Sequence, residues 1–294
     1  MPDQVIRIFF SRAVNRNLFL LIGAVIFFSC SEHAGSGAAQ DEFVIPYDFN
    51  QPEQFKLDDV LHEISGISRI ETSDDLLAVN DERGELYRIS PTGEIINHKT
   101  FHKGGDYEDL ATVGRAVYVM KSNGNLYFIP DFTADMLETE NFKAKLRDGM
   151  EFESLTYDSA SQQLFLLVKD GDSRQGKAPA YVFDLKRREF HPDPEMLIDP
   201  KKISGMKIKG KSLRASAMAR HPFTGDWYIV SSINRMLLVC GPEGDGKGYI
   251  HLSKKMLPQP EGICFAKNGD LFISSEGLSK PGRLLRFTYK PQAE

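Results

Sequence analysis

The six residues Asp106-Tyr-Glu-Asp-Leu-Ala111 return as Glu151-Phe-Glu-Ser-Leu-Thr156 and again as Gln259-Pro-Glu-Gly-Ile-Cys264. A fainter copy, with serine in place of glutamate, stands at Arg214-Ala-Ser-Ala-Met-Ala219. Glu108, Glu153, Ser216 and Glu261 occupy matching positions 45, 63 and 45 residues apart, and Ser65 in Ile64-Ser-Gly-Ile-Ser68 precedes the first by 43. A spacing that recurs near 45 marks an internal repeat.

The segments after each copy repeat as well. A second apolar run appears as Leu76-Leu-Ala-Val-Asn-Asp81, Ala116-Val-Tyr-Val-Met-Lys121, Leu164-Phe-Leu-Leu-Val-Lys169, Trp227-Tyr-Ile-Val-Ser-Ser232 and Leu271-Phe-Ile-Ser-Ser-Glu276. A third appears as Leu86-Tyr-Arg-Ile89, Leu126-Tyr-Phe-Ile129, Tyr181-Val-Phe-Asp184, Met236-Leu-Leu-Val239 and Leu284-Leu-Arg-Phe287. Short runs rich in β-branched and aromatic residues, bounded by Gly, Asn, Asp and Pro, are strands. Strand-only repeats of roughly 40 to 50 residues are the mark of a β-propeller, in which each repeat is a four-stranded antiparallel blade.

The repeat starts predict five blades, near Ser65, Glu108, Glu153, Ser216 and Glu261. Six is the alternative, with extra strands hidden in the 63-residue step. The five-blade reading assigns the 18 extra residues of that step to long loops around Gly171 to Ala180 and Pro200 to Gly210. The last repeat ends with its third strand, so the early segment Gln54-Phe-Lys-Leu57 is expected to complete it from outside. That closes the ring and removes a free sheet edge. The propeller domain is placed at residues 42 to 294.

The N-terminus reads differently. Arg7, Arg12 and Arg16 precede an uncharged, mostly apolar run from Leu18 to Phe28, and Ser29-Cys30 comes next. Eleven residues at ~1.5 Å each do not span a ~30 Å hydrocarbon core, so residues 1 to 29 are expected to be a signal peptide. A cysteine directly after a small residue resembles a bacterial lipoprotein cleavage site, with Phe27 where a leucine is usual. Cys30 is then the lipidation site, residues 30 to 41 are a flexible tether, and the protein is expected in the cell envelope, at the outer membrane, held by its lipid anchor. Losing three arginines and Asp3 takes the formal charge from -5 to -7, which argues against a nucleic-acid partner. Cys240 and Cys264 fall in or beside strands and are expected to be buried, unpaired thiols, with a disulfide in an exported protein as the alternative that spacing alone does not establish.

The repeats resemble the SdiA-regulated, YjiK-like β-propeller family. The resemblance rests on Glu63-Ile-Ser-Gly-Ile-Ser68, Leu77-Ala-Val-Asn-Asp-Glu82 with Gly84-Glu-Leu-Tyr87, Tyr107-Glu-Asp-Leu-Ala111, Phe152-Glu-Ser-Leu-Thr156 and Pro260-Glu-Gly-Ile-Cys264, and covers about Gln54 to Tyr289. It implies an exported or membrane-attached propeller and supplies no catalytic residue.

In a propeller the start of each inner strand and the end of each second strand share one rim. Glu108, Glu153 and Glu261 are therefore expected to converge at one channel mouth with Ser65 and Ser216. Asn80, Asp81, Lys121, Lys169, Ser231 and Glu276 are expected nearby, and Tyr107 and Phe152 to flank the glutamates. Three carboxylates in a narrow channel need compensation. One candidate is a hard cation such as Ca2+, held by Glu108, Glu153 and Glu261. The other is Lys121, Lys169 and Arg214, or hydrogen bonds by which each glutamate pins its blade to the next. A metal would suit a lactonase- or esterase-like hydrolase, with His62 or His102 as base and His221 a weaker choice. Without one, the mouth reads as a binding site for a small molecule, glycan or protein, through Ser65, Asn80, Asp81, Tyr107, Phe152, Ser216 and Glu276.

Two glycine-rich stretches carry no separate function. Gly205-Met-Lys-Ile-Lys-Gly-Lys-Ser212 matches the phosphate-loop letters, but an inner strand comes after it where the phosphate-binding mechanism needs a helix. Gly241 to Gly248 reads as a hairpin turn.

Overall fold

The apolar runs are unbroken because every blade is covered on both faces. The computed structural model describes residues 43–146, 149–169, 176–203 and 212–291. The leader, Cys30, the tether and the stretch from Gly205 to Lys211 lie outside the described residues. Five antiparallel sheets form five blades, numbered I to V in chain order. Their inner strands are Ile64–Arg69, Tyr107–Val113, Phe152–Asp158, Ala217–Arg220 and Gln259–Phe265. Each inner strand touches the next, and the fifth touches the first, so the ring is closed.

Closure uses the N-terminal strand. Glu53–Lys56 pairs antiparallel with Arg283–Phe287, with Phe55 opposite Leu284, and becomes the outermost strand of blade V. Blade V is thus built from both ends of the described chain, which leaves the ring no open seam.

The 63-residue step contains more structure than loops. Blade III carries a fifth strand, Met196–Ile198, which pairs with Ala178–Asp184 beside the two-residue strand Glu189–Phe190. A short 3-10 turn, Pro200–Lys202, comes next. The third strand of blade III runs seven residues, long enough to pair with both segments end to end.

Five apolar clusters fill the gaps between neighbouring blades. The second strand of blade I shows how: Leu77 and Val79 pack against Leu110 and Val119 of blade II, while the alternate residues Leu76 and Ala78 pack against Phe272 and Leu284 of blade V. Side chains of a strand alternate between faces, so two buried faces demand an apolar residue at every position. At about 1.5–3 kcal/mol for each large side chain, these clusters supply the main stabilisation. Trp227 illustrates the fit. It is 1% exposed, lies 5.0 Å from the Phe165 ring of blade III, and donates its indole N–H to the Pro242 carbonyl at 3.1 Å.

The inner strands are also stitched by polar contacts, and of the three glutamates Glu261 takes part, accepting from Ser216 of blade IV. The residue after each ring position faces the neighbouring blade. Asp109 accepts hydrogen bonds from Leu155 N at 2.7 Å and Ser154 Oγ at 3.2 Å, and Ser154 Oγ in turn accepts from Met218 N at 2.7 Å. The stitches join blades II, III and IV. At the corresponding positions of blades I and V stand Gly66 and Gly262, because a Cβ there would lie 2.6 Å from Asp109 Cα and 2.8 Å from the Ser65 carbonyl oxygen. Cys240 and Cys264 are buried free thiols, and Gly241 to Asp245 make the turn between the third and fourth strands of blade IV. Among the described residues no helix is long and apolar enough to cross a membrane.

Candidate functional site

A local irregularity aims the glutamates. In blades II, III and V the pairing of inner and second strands slips by one residue: Tyr107 faces Lys121 but Asp109 faces Met120, Phe152 faces Val168 but Ser154 faces Leu167, and Pro260 faces Ser275 but Gly262 faces Ser274. Glu108, Glu153 and Glu261 are the extra residues of these bulges. Blade I slips between Ile64 and Ile67, around Ser65. A bulge leaves one residue without a partner across the ladder and redirects its side chain. Repeated around the ring, it delivers the glutamates to a common mouth.

The mouth is a cavity of about 370 Å3 lined by Ser65, Asp81, Asp106, Glu108, Glu153, Lys169, Arg214, Ser216, Gln259, Glu261 and Glu276, among others. Six carboxylates therefore face two cations. Lys169 is hydrogen-bonded to Glu153 and lies 3.6 Å from Glu151. Glu261 accepts from the side chains of Ser216 and Gln259, and Gln259 Nε2 also donates to Glu276 at 2.7 Å.

Burial and mutual repulsion hold several of these acids in the protonated direction. Burial, then the charges of Glu153 and Asp106, pushes Glu108 up to about 8, against the opposing pull of Lys169. Burial and the charges of Glu153 and Glu276 push Glu261 up to about 8. Burial, with Asp81 and Glu63, takes Glu276 to about 7. Burial raises Glu153 and Asp81 too, Glu153 despite its bond to Lys169. The lysine is lowered by burial, but its contacts with Glu153, Glu108 and Glu151 outweigh this and raise it to about 12.

Other expected residues lie elsewhere. Tyr107 and Phe152 are 0% and 1% exposed and belong to the clusters between blades. The Tyr107 hydroxyl donates to the Lys103 carbonyl at 2.8 Å. Asn80 is buried, donating to the Val60 carbonyl and accepting from Arg83 N. Lys121 lies over the Tyr107 ring at 5.4 Å instead of neutralising the ring of acids. Ser231 is buried beneath the rim, bonded to Arg214 O and Asn234, and its neighbour Ser232 lines the cavity instead.

None of the three histidines reaches this cavity. His62 ends the turn Asp59–Leu61. His102 sits against Tyr127 and bonds to Tyr107. His221 lies at the other end of the channel, its Nε2 2.9 Å from the Tyr47 hydroxyl, and burial lowers its pKa. Among the described residues no group of three or more His, Cys, Asp or Glu side chains is arranged to hold a metal ion.

Asp106 and Gln259 were not singled out by the glutamate match, yet both line the mouth. Each stands two residues before a ring position, as do Glu63, Glu151 and Arg214. A strand returns to the same face every two residues, so the repeat itself carries this second polar ring.

Solved structures share the architecture. A glutaminyl cyclase from Myxococcus xanthus superposes with a TM-score of 0.57 at 14% identity, over 82% of this chain and 96% of that one. A luciferin-regenerating enzyme does so with a TM-score of 0.53 at 9% identity, over 83% and 98%. Likeness of this degree concerns the fold alone. No curated protein matches the chain. The sequence match is to one family model, SdiA-regulated, and runs over residues 47–288, from Tyr47 in the cluster between blades IV and V through the final strand. With repeat, blades and match covering the same stretch, the chain belongs to the SdiA-regulated family.

Proposed function

We propose that this protein is an exported, lipid-anchored binding module that receives a positively charged group of a small molecule or protein partner in the acidic channel mouth. The observation that carries the reading is the imbalance of titratable groups: six acidic side chains against two basic ones around a cavity of about 370 Å3, with Glu108 and Glu261 pushed to about 8 and so holding protons they can give up to an incoming cation. Acids held that high release protons when a cation arrives, because the incoming charge lowers their pKa values. A cation therefore binds more tightly as pH rises through 8 and more weakly as the acids take up protons below it. A neutral sugar gains nothing comparable, and an anion is repelled. The export and anchor rest on the Leu18 to Phe28 run and the Ser29-Cys30 pair after it.

Calorimetric titration of the chain from Gln40 onward with spermidine, arginine methyl ester and CaCl2, at pH 6 and pH 8, tests the site. Organic cations are expected to bind saturably, more tightly at pH 8, and to lose that binding in Glu153→Gln with Glu261→Gln. Heat from CaCl2 alone would assign the mouth to a metal ion instead. No binding of any of the three at millimolar concentration would overturn the reading.

A further inference from the structure

The opposite mouth of the channel is chemically different. It opens into a cavity of about 470 Å3 where the inner strands end. One of its ion pairs is complete in itself. Arg220 Nη1 lies 2.5 Å from Asp158 Oδ1, its Nε donates to the Gly225 carbonyl at 3.0 Å, and its guanidinium sits 5.3 Å from the Trp227 ring centroid. Asp158 also accepts from Ala160 N and from Ser161 N and Oγ. Ser68 and Thr112 are likewise committed, to each other and across the gap between blades I and II.

Two inner-strand groups are left over, besides the exposed carboxylate of Glu71 and the exposed hydroxyl of Ser159. Arg69, the last residue of the blade I inner strand, lines this cavity half-buried, and its guanidinium has no hydrogen bond or ion pair among the described residues. Thr156, on the inner strand of blade III, lines it too, with no side-chain hydrogen bond among the described residues. The rest of the lining is mainly polar: Ala111, Leu155, Ala219, Ile263 and Phe265 are buried behind it, and the exposed apolar group is Phe223, 57% exposed at the lip. His221 has both ring nitrogens occupied. Nδ1 accepts from Phe223 N and Thr224 N, so Nε2 carries the hydrogen and donates to the Tyr47 hydroxyl, which itself donates to the Gly269 carbonyl. The histidine is therefore committed to these contacts and not free to act as a base.

We propose that this far mouth is a second binding site, in which Arg69 and Thr156 hold the carboxylate of a small organic acid while its hydrocarbon end meets the exposed Phe223 ring at the lip. One unpartnered guanidinium matches one negative charge, and its planar fork fits a carboxylate. A dianionic phosphate would leave a charge uncompensated beside Asp158 and Glu71, which also line the cavity. A hydrocarbon end covers the exposed Phe223 ring, a contact that inorganic anions do not make. The assignment is independent of the acidic mouth.

The described residues form a closed ring, so the chain from Gln40 onward is the material for the test. Saturation-transfer NMR and calorimetry would use phenylacetate and hexanoate as probes, with 2-phenylethanol and inorganic phosphate as comparators. Saturable binding of the acids is expected, weakened about 10- to 100-fold in Arg69→Gln, the loss typical of a charge-assisted contact. Thr156→Val should weaken it less, and Glu153→Gln, at the other mouth, should leave it unchanged. Thermal melts of each variant separate lost binding from lost folding. The proposal is overturned if the acids do not bind, if phosphate or the alcohol binds as well as they do, or if folded Arg69→Gln and folded Thr156→Val both bind like the wild type.

Discussion

Raising the pH from 5 to 8.5 on the unliganded protein should destabilise it, and Glu261→Gln should remove much of that effect. Glu108 and Glu261 ionise near 8 in the folded protein against 4.5 for an ordinary glutamate. Below 4.5 folded and unfolded states are equally protonated, and the stabilisation is fully present. Between 4.5 and about 8 the folded state binds more protons, so stability falls as pH rises; above 8 the loss is complete. At ~1.4 kcal/mol for each pH unit, keeping one such acid until it ionises costs about 5 kcal/mol. Glu108 and Glu261 both respond to Glu153, so their effects overlap instead of adding. Lys169 and Arg214 are the cations that face the same cavity, while Asp81, Asp106 and Glu276 add repulsion.

A total near 5 kcal/mol is comparable with the whole stability of many domains. Urea denaturation at half-unit pH steps measures it. Wild type should lose about 5 kcal/mol between pH 5 and 8.5. Glu261→Gln should match it within about 1 kcal/mol at pH 5 and exceed it by about 3 kcal/mol at pH 8.5, because a neutral amide still accepts from Ser216 while removing a charge from the ring. Spermidine at pH 8.5 should restore the wild type and do little for the variant. A wild-type stability that is flat or rises over this range, or a variant curve parallel to it, would refute the electrostatic reading of the mouth.

Two further perturbations probe the frame and the anchor. Asp109→Ala strands Leu155 N and the Ser154 hydroxyl at the joint of blades II and III, and should cost about 3–5 kcal/mol in chemical denaturation, with Glu108→Gln costing nothing comparable at pH 8. Cys30→Ala should abolish incorporation of labelled palmitate in growing cells and move the protein from the membrane fraction to the soluble fraction.

The frame was legible because repetition and two-sided burial both leave marks in a single sequence. Five copies of a run such as Leu76 to Asn80, apolar at nearly every position, state that the strand is covered on both faces, and their spacing states that the covers are one another. The convergence of Glu108, Glu153 and Glu261 came from the same symmetry, since equal positions in a ring of equal units share a radius. What symmetry does not report is which of two adjacent residues turns inward. Glu108 and Asp109 are both acids, and a one-residue bulge sends the first into the mouth and the second into the joint with blade III. The sign for that split was present but indirect: the residue after the ring position is Gly66, Asp109, Ser154, Ala217 or Gly262, small or able to accept a hydrogen bond, as a site facing another backbone at close range requires. Tyr107 and Phe152 mislead for the same reason. Flanking a rim residue in sequence means pointing away from it in a strand, so an aromatic next to a channel carboxylate belongs to the core. Two steps along the strand is where the site continues, and there the chain places Asp106 and Gln259 against the ring.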